Sequence, residues 1–369
     1  MQRLLAVLAL MAGLVTTVQA QQQWHSEFGI SSGYARIKPA GTGASDYIDV
    51  FGIPTFSLAG VIPGGASLFG IVPVKNRVAI ELSASALQGN VILPGLIGDA
   101  TFFNFDARAN YALTRKVYGA AGAAFNFVEN GGVHETQLGV EAAVGYRFGF
   151  ILGLRGRVEA NAVFLHKTDL VEPRNVYALE FGVSKEIGAR GRSTTPARAT
   201  NRAWRSQLGI QGGYTRTHVI GAGIDLTGLS IPGFGGTVTL FGSPASPPIL
   251  FAILPIGSKF AIEPGLDISR VQSGGLTSFS SNASARVNYA VGHGWYGAAG
   301  GNLVYLKLTG GSGETVTGAN VAWGYRFPLA GGLGGRFEID YTMMGENTDL
   351  ALPPANTLGL LFGVTMALQ

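Results

Sequence analysis

Apolar residues recur at every second position over most of the chain. From 102 to 113, Phe103, Phe105, Ala107, Ala109, Tyr111 and Leu113 alternate with Asn104, Asp106, Arg108, Asn110 and Ala112. Successive side chains of a strand point to opposite faces, so this run predicts a β-strand with one apolar and one polar face. From 136 to 148 the same pattern returns, with Leu138, Val140, Ala142, Val144, Tyr146 and Phe148 on one face and Gln137, Gly139, Glu141, Ala143, Gly145 and Arg147 on the other. Runs of this kind at about 24–37, 67–74, 77–87, 117–128, 153–165 and 176–187 complete eight strands. Their connections alternate between short (75–76, 114–116, 149–152) and longer (38–66, 88–101, 129–135, 166–175).

The pattern is written twice. DARANYALTRKVYGAAG, from Asp106, is answered by SARVNYAVGHGWYGAAG, from Ser284. Trp24 to Tyr34 matches Trp204 to Tyr214, Phe69 to Glu81 matches Phe251 to Glu263, and Gly145-Tyr-Arg-Phe148 matches Gly324-Tyr-Arg-Phe327, always about 180 residues apart. Such a duplication predicts two equivalent structural units, 21–187 and 204–369. The stretch between them, 188–203, carries Arg190, Arg192, Arg198 and Arg202 and no acid. That composition reads as a solvated, periplasmic linker.

Residues 1–20 pair Arg3 with an apolar run from Leu4 to Val15 and end in Val18-Gln-Ala20. This is the layout of a secretory signal peptide. No later segment is an uninterrupted apolar run long enough for a membrane helix, although 47% of residues are hydrophobic and only 13% charged. In lipid every backbone polar group must be paired internally, so an exported, apolar, strand-rich chain predicts a closed antiparallel up-and-down β-barrel. Short periplasmic turns and longer outer loops are the outer-membrane form of that fold, with both ends of each unit in the periplasm. Zero cysteines remove disulfide and thiolate chemistry. The net charge of +4 is too small to argue for nucleic acid. No motif asks for a cofactor.

Aromatic residues sort by depth, as amphipathic rings do at the two membrane interfaces. With the topology above, Trp24, Tyr111, Tyr146 and Phe148 fall at the periplasmic ends, and Trp204, Tyr289, Trp295, Tyr325 and Phe327 form the same girdle in the second unit. Tyr34, Phe103, Phe127, Phe164 and Tyr177, with Tyr214 and Tyr305, fall at the outer ends. A soluble β-sandwich alternates equally well but has no reason to form two belts. The last strand, from Thr357 to Leu368, resembles the C-terminal signal read by the barrel-assembly machinery, although it ends in Leu368-Gln369 rather than an aromatic residue. Each unit resembles the OmpA-like or porin-family outer-membrane β-barrel domain. The resemblance covers essentially the whole mature chain and implies outer-membrane lipid and, during biogenesis, the barrel-assembly machinery as partners.

Two eight-stranded barrels or one sixteen-stranded barrel satisfy the same pattern, and the inward faces discriminate. Eight strands leave a lumen that side chains fill, whereas sixteen enclose a channel. Ala120, Gly122, Ala124 and Asn126, like Ala298, Gly300 and Asn302, are small, as a narrow lumen requires. The inward charges are of mixed sign: Glu81, Arg108, Glu141, Arg147, Arg157 and Glu159 in the first unit, and Glu263, Arg286, Arg326, Arg336 and Glu338 in the second. Charges in so narrow a bore persist only when paired. They are expected to form an ion-pair plug in each barrel, with Asn110 and Asn288 as hydrogen-bonding neighbours; the alternative is a selectivity ring in an open pore.

Catalytic patterns are thin. Gly29-Ile-Ser31-Ser-Gly33 has the spacing of a nucleophile elbow but sits inside an alternating run, and the second unit has Gln211 at the serine's place. His134 and His166 lie near the outer rim beside Glu135, where an acid–base pair is conceivable. His25, His218 and His293 have no partners at metal-ligand spacing. The apolar stretches from Asp49 to Pro63 and from Asp225 to Phe241 are expected in outer loops packed on the barrel mouth. The expected function is therefore a non-enzymatic outer-membrane protein with an envelope-structural or surface-interaction role; the alternative is a porin passing small or apolar solutes.

Overall fold

The computed structural model describes residues 24–39, 47–53, 67–93, 96–130, 133–149, 154–168, 173–187, 204–221, 224–230, 250–273, 276–329, 333–348 and 354–368. The expected signal peptide (1–20) and linker (188–203) lie outside them. The described elements are all strands. Those of the first repeat are β1 (Glu27–Pro39), β2 (Ile48–Ile53), β3 (Ser67–Lys75), β4 (Val78–Leu93), β5 (Leu96–Ala112), β6 (Val117–Asn130), β7 (Val133–Gly149), β8 (Arg155–Leu165) and β9 (Arg174–Glu186). Those of the second are β10 (Gln207–Val219), β11 (Ile224–Ser230), β12 (Leu250–Ile256), β13 (Phe260–Ser273), β14 (Leu276–Gly292), β15 (Trp295–Leu308), β16 (Glu314–Pro328), β17 (Leu333–Met344) and β18 (Ala355–Ala367).

Each repeat closes on itself as an eight-stranded antiparallel barrel. In the first, β1 pairs with β9 on one edge and β3 on the other, and β3 to β9 follow in chain order. In the second, β10 pairs with β18 and β12, and β12 to β18 follow in order. The short segments β2 and β11 occupy the second strand position of each barrel nearer its other end. Thus β1 carries β3 along Glu27–Ser31 and β2 along Tyr34–Ile37. The tight connections gather at one end, the turn end. Between β14 and β15 both turn residues have positive φ, His293 at 52° and Gly294 at 89°, which is the type I′ geometry that matches strand twist.

At the opposite, loop end the barrels exchange edges. β2 pairs with β13, from Ile53↔Ile268 to Asp49↔Gln272, and β11 pairs with β4, from Gly228↔Gly89 to Ser230↔Leu87. The ladder there runs β1-β2-β13-β14-β15-β16-β17-β18-β10-β11-β4-β5-β6-β7-β8-β9 and returns to β1, a circuit of sixteen strands. Two narrow barrels at the turn end therefore share one wider rim at the loop end. The exchange gives the outer edges of β2 and β11 partners, as backbone in lipid requires. Nearer the turn end the barrels touch through apolar side chains, Leu154 and Val183 of the first against Leu208, Leu333 and Met366 of the second.

The expected loop at 88–101 is instead sheet, since β4 and β5 stay paired out to Leu93↔Leu96. Gly89, Asn90, Gly98 and Asp99 carry turn chemistry, yet they face strand partners, with Asn90 opposite Asp99 and Gly89 opposite Ala100. The expected apolar loops also begin as strand, at β2 and β11; residues 54–66 and 231–249 lie outside the described residues. The wall exterior is apolar, with Leu138, Val140, Leu179, Leu303, Val321 and Leu360 all exposed. These are the residues that meet lipid, and they make this a pair of membrane-spanning barrels.

Candidate functional site

The polar side chains face inward and pack into one layer in each lumen, nearer the turn end. Strand pairing sets Glu81 beside Arg108 on β4 and β5, and Glu159 opposite Glu180 on β8 and β9. The Arg108 guanidinium spans the bore. It donates to Glu81 (2.8 Å), Glu141 (2.7 Å) and both oxygens of Glu159 (2.6 and 2.8 Å). Arg157 donates to Glu81 at 2.7 Å, Asn110 to the other Glu81 oxygen at 2.7 Å, and Arg147 pairs with Glu27. Glu159 is fully buried. In water such pairs contribute little; in a dry bore each charge is held only by its partners.

The second lumen repeats the arrangement with changed edges. Arg286 donates to Glu263 (2.6 and 2.9 Å) and Glu338 (2.8 Å twice), Arg336 to Glu263 (2.8 Å) and to Gln211, and Asn288 to Glu263 (2.9 Å). Where the first copy pairs Arg147 with Glu27, the second has Gln207 at the acid's place, and Arg326 lies over the Trp204 ring at 3.7 Å. The eleven charged residues and two asparagines expected in the lumens all face inward, and Arg326 is the one that is only half-buried. The two lumens are not equally balanced. Buried carboxylates in the first are Glu27, Glu81, Asp106, Glu141, Glu159 and Glu180 against Arg108, Arg147 and Arg157; in the second they are Glu263, Asp267, Glu338 and Asp340 against Arg286, Arg326 and Arg336.

Aromatic rings complete the seal, and these the alternation alone did not single out. Tyr118 donates to Glu159 at 2.5 Å and Tyr296 to Glu338 at 2.6 Å. Arg157 lies over the Phe69 ring at 3.7 Å and Arg336 over Phe251 at 3.8 Å. Room for these groups comes from glycine on the neighbouring strand. A Cβ at Gly145 would overlap the Tyr118 ring, and one at Gly122 would overlap both the Ala107 carbonyl and the Arg108 stem. The last glycine of each Gly-Ala-Ala-Gly run, Gly122 or Gly300, therefore leaves room for the base of the lumen arginine, Arg108 or Arg286, on the adjacent strand. Further from the turn end, Ala35, Ile37, Val163, Leu165 and Val176 form an apolar cluster inside the first barrel.

Two expected girdle residues are placed differently. Trp24 and Trp204 are each 4% exposed and sit inside their barrels, not against lipid. Each indole donates to a turn carbonyl, Arg77 (3.1 Å) or Lys259 (3.0 Å), and meets the buried tyrosine edge-on, with ring centroids 5.6 Å apart. The indole N–H needs a buried acceptor and the ring needs company; the turn and Tyr118 provide both. Both tryptophans precede the first strand of their repeat, so the ladder does not hold them to the face that alternation assigns. Tyr111, Tyr146, Tyr289, Trp295 and Tyr325 do face outward and are exposed, while Phe148 and Phe327 are half-buried and stack on Tyr146 and Tyr325. Trp323, which is exposed and stacks on Trp295 at 6.1 Å, joins them.

His134 and Glu135 are adjacent in β7, and alternation turns them to opposite faces; Glu135 accepts from the Thr168 hydroxyl. Ser31 is mid-strand in β1, paired with Gly182 of β9, with no strand-to-helix turn to expose it.

No family model and no curated protein matches the chain. Among solved structures it is similar to Ail, the attachment invasion locus protein of Yersinia pestis, in complex with the heparin analogue sucrose octasulfate (17% identity, 44% of this chain and 98% of that one, TM-score 0.28). It is similar also to the CymD monoaromatic hydrocarbon channel (10%, 94% and 89%, TM-score 0.32) and to a bacterial polysaccharide outer membrane secretin (8%, 95% and 100%, TM-score 0.34). At these values none of them assigns a family or a role.

Proposed function

We propose that this is a non-enzymatic integral protein of the bacterial outer membrane, two tandem OmpA-like barrels serving the envelope as a structural or surface-interaction element. The turn end and both termini face the periplasm, the loop end faces outward, and the chain is inserted by the barrel-assembly machinery. The observation that carries this reading is the pair of filled lumens. A layer of guanidinium, carboxylate and phenol crosses each bore, and Trp24 or Trp204 lies beneath it. A porin would need an open path through the same cross-section, so its inward charges would be hydrated rather than bonded to one another. The test is conductance in planar bilayers. Folded full-length protein is expected to give no stable channel steps; large, long-lived steps in every insertion would reinstate the porin reading.

A further inference from the structure

The edge exchange at the loop end aligns side chains that no single barrel would bring together. Tyr34 of β1 faces Phe51 of β2, Phe51 faces Arg270 of β13, Arg270 faces Phe279 of β14, and Phe279 faces Lys307 of β15. Cα partners in an antiparallel ladder share a face, so these five residues form one row across the join between the barrels. The row is on the outer surface, because Phe51, Arg270 and Lys307 are exposed whereas Ala35 and Asp267, of opposite parity, are buried. One step nearer the loops stand Arg36, Asp49 and Gln272, also in register. Lys38 lies a further step along β1. Arg36 and Lys38 both lean on the Tyr47 ring, at 5.0 and 5.8 Å from its centroid.

Charge and depth define what this surface fits. Its cations are Arg36, Lys38, Arg270 and Lys307, and Asp49 is the acid among them. Arg36 is already bound to Asp49 through two bonds, of 2.6 and 2.9 Å, and Arg270 donates to the neutral Gln272 at 3.3 Å, so three of the four positive charges are in excess of the one acid. Below the row β13 turns Leu266 and Ile262 outward, both exposed, so the cations stand where the apolar wall gives way to the strand ends. Neighbouring strands are about 4.8 Å apart, which places the Arg270 and Lys307 backbones about 10 Å apart across Phe279. Two long cationic side chains on that spacing can converge on a single anion. Aromatic rings flank both, as at a lipid headgroup level. At the turn end, by contrast, Lys116 and Lys259 each stand over one tyrosine.

We propose that the outward face of β1, β2, β13, β14 and β15 is a binding site for the phosphate of an outer-leaflet lipid headgroup, held by Arg270 and Lys307 with Lys38 and Arg36 at its margin. Arg270 and Lys307 belong to the second barrel and Arg36 and Lys38 to the first, so a headgroup that reaches the margin as well as the centre of the site would span the join. The inference rests on the membrane reading above. A guanidinium supplies paired donors to phosphate oxygens and the ammonium adds a point charge.

The experiment uses the full chain folded in neutral detergent, with its heat-modifiable gel shift verified first; failure to fold or insert there would count against the membrane reading itself. Thermal unfolding is then followed while phosphatidic acid or phosphatidylcholine is added to the micelles. Phosphatidic acid is expected to raise the midpoint and phosphatidylcholine to leave it unchanged. The rise should be lost in Arg270→Gln/Lys307→Gln, kept in Arg216→Gln on β10 of the same barrel, outside the row, and enlarged in Asp49→Asn, which frees Arg36. Equal shifts with both lipids, or an undiminished shift in the Arg270→Gln/Lys307→Gln variant, would overturn the proposal. So would a shift reproduced by a soluble sulfated polysaccharide, since the site would then take polyanions from solution.

Discussion

Arg108→Ala is expected to lower the free energy of unfolding by about 3 to 5 kcal/mol, the penalty for removing one partner from a buried ion pair. The guanidinium is the common partner of three carboxylates, Glu81, Glu141 and Glu159. After its removal Glu81 keeps Arg157 and Asn110, and Glu159 keeps the Tyr118 hydroxyl. Glu141 keeps only the Asn161 amide. Arg108→Lys should fall between the variant and the native protein, because one ammonium cannot reproduce the planar fork that serves three acceptors. The check is the urea midpoint of the full chain in detergent micelles, read beside Arg216→Ala, an exposed pair whose loss should leave the midpoint in place. If Arg108→Ala behaved like Arg216→Ala, water would fill the lumen and the charges would not form a plug.

Trp24→Ala is expected to cost about 3 to 5 kcal/mol as well, through lost apolar burial and the cavity left behind. The indole is a lid: it closes the turn end of the first barrel against Tyr118, with the Arg147 guanidinium 4.5 Å above its ring. Removing it also takes one of two donors from the Arg77 carbonyl, which keeps the Ala112 N–H. Trp295→Ala is the informative contrast, since Trp295 is 44% exposed on the outer wall. In the same urea titration it should lose far less. Equal losses would return Trp24 to the lipid-facing girdle.

The wall was legible in the sequence because alternation is a property of each strand alone. Phe103 to Leu113 and Leu138 to Phe148 fall on the face that period two assigns. The plug was legible for the same reason, since Glu81, Arg108, Arg147 and Glu159 share the parity of small residues. What closes the lumen was harder to read. Tyr118 lies in the inward phase, but its ring is accommodated by Gly145 on the next strand, and that relation depends on register. The alternating run begins at Trp24, but the strand itself begins at Glu27, so the ladder does not hold Trp24 to the face that the run assigns. The edge exchange was out of reach altogether: β2 and β4 are each consistent with either partner in pattern, and the choice is made by three-dimensional closure. Gly89 and Asn90 show the same limit in reverse, because local turn chemistry there is overridden by a ladder partner.

The most direct test of the account is whether each repeat closes on itself. Zero native cysteines make the cross-link unambiguous. Tyr34 and Leu179 face each other across β1 and β9, and Tyr214 and Leu360 across β10 and β18. Double-cysteine variants at either pair should form a disulfide under mild oxidation in the folded protein, whereas Leu179→Cys combined with Tyr214→Cys should not. A single wide barrel with its strands paired in chain order would reverse both results, with β9 bonded to β10 and no link between β1 and β9.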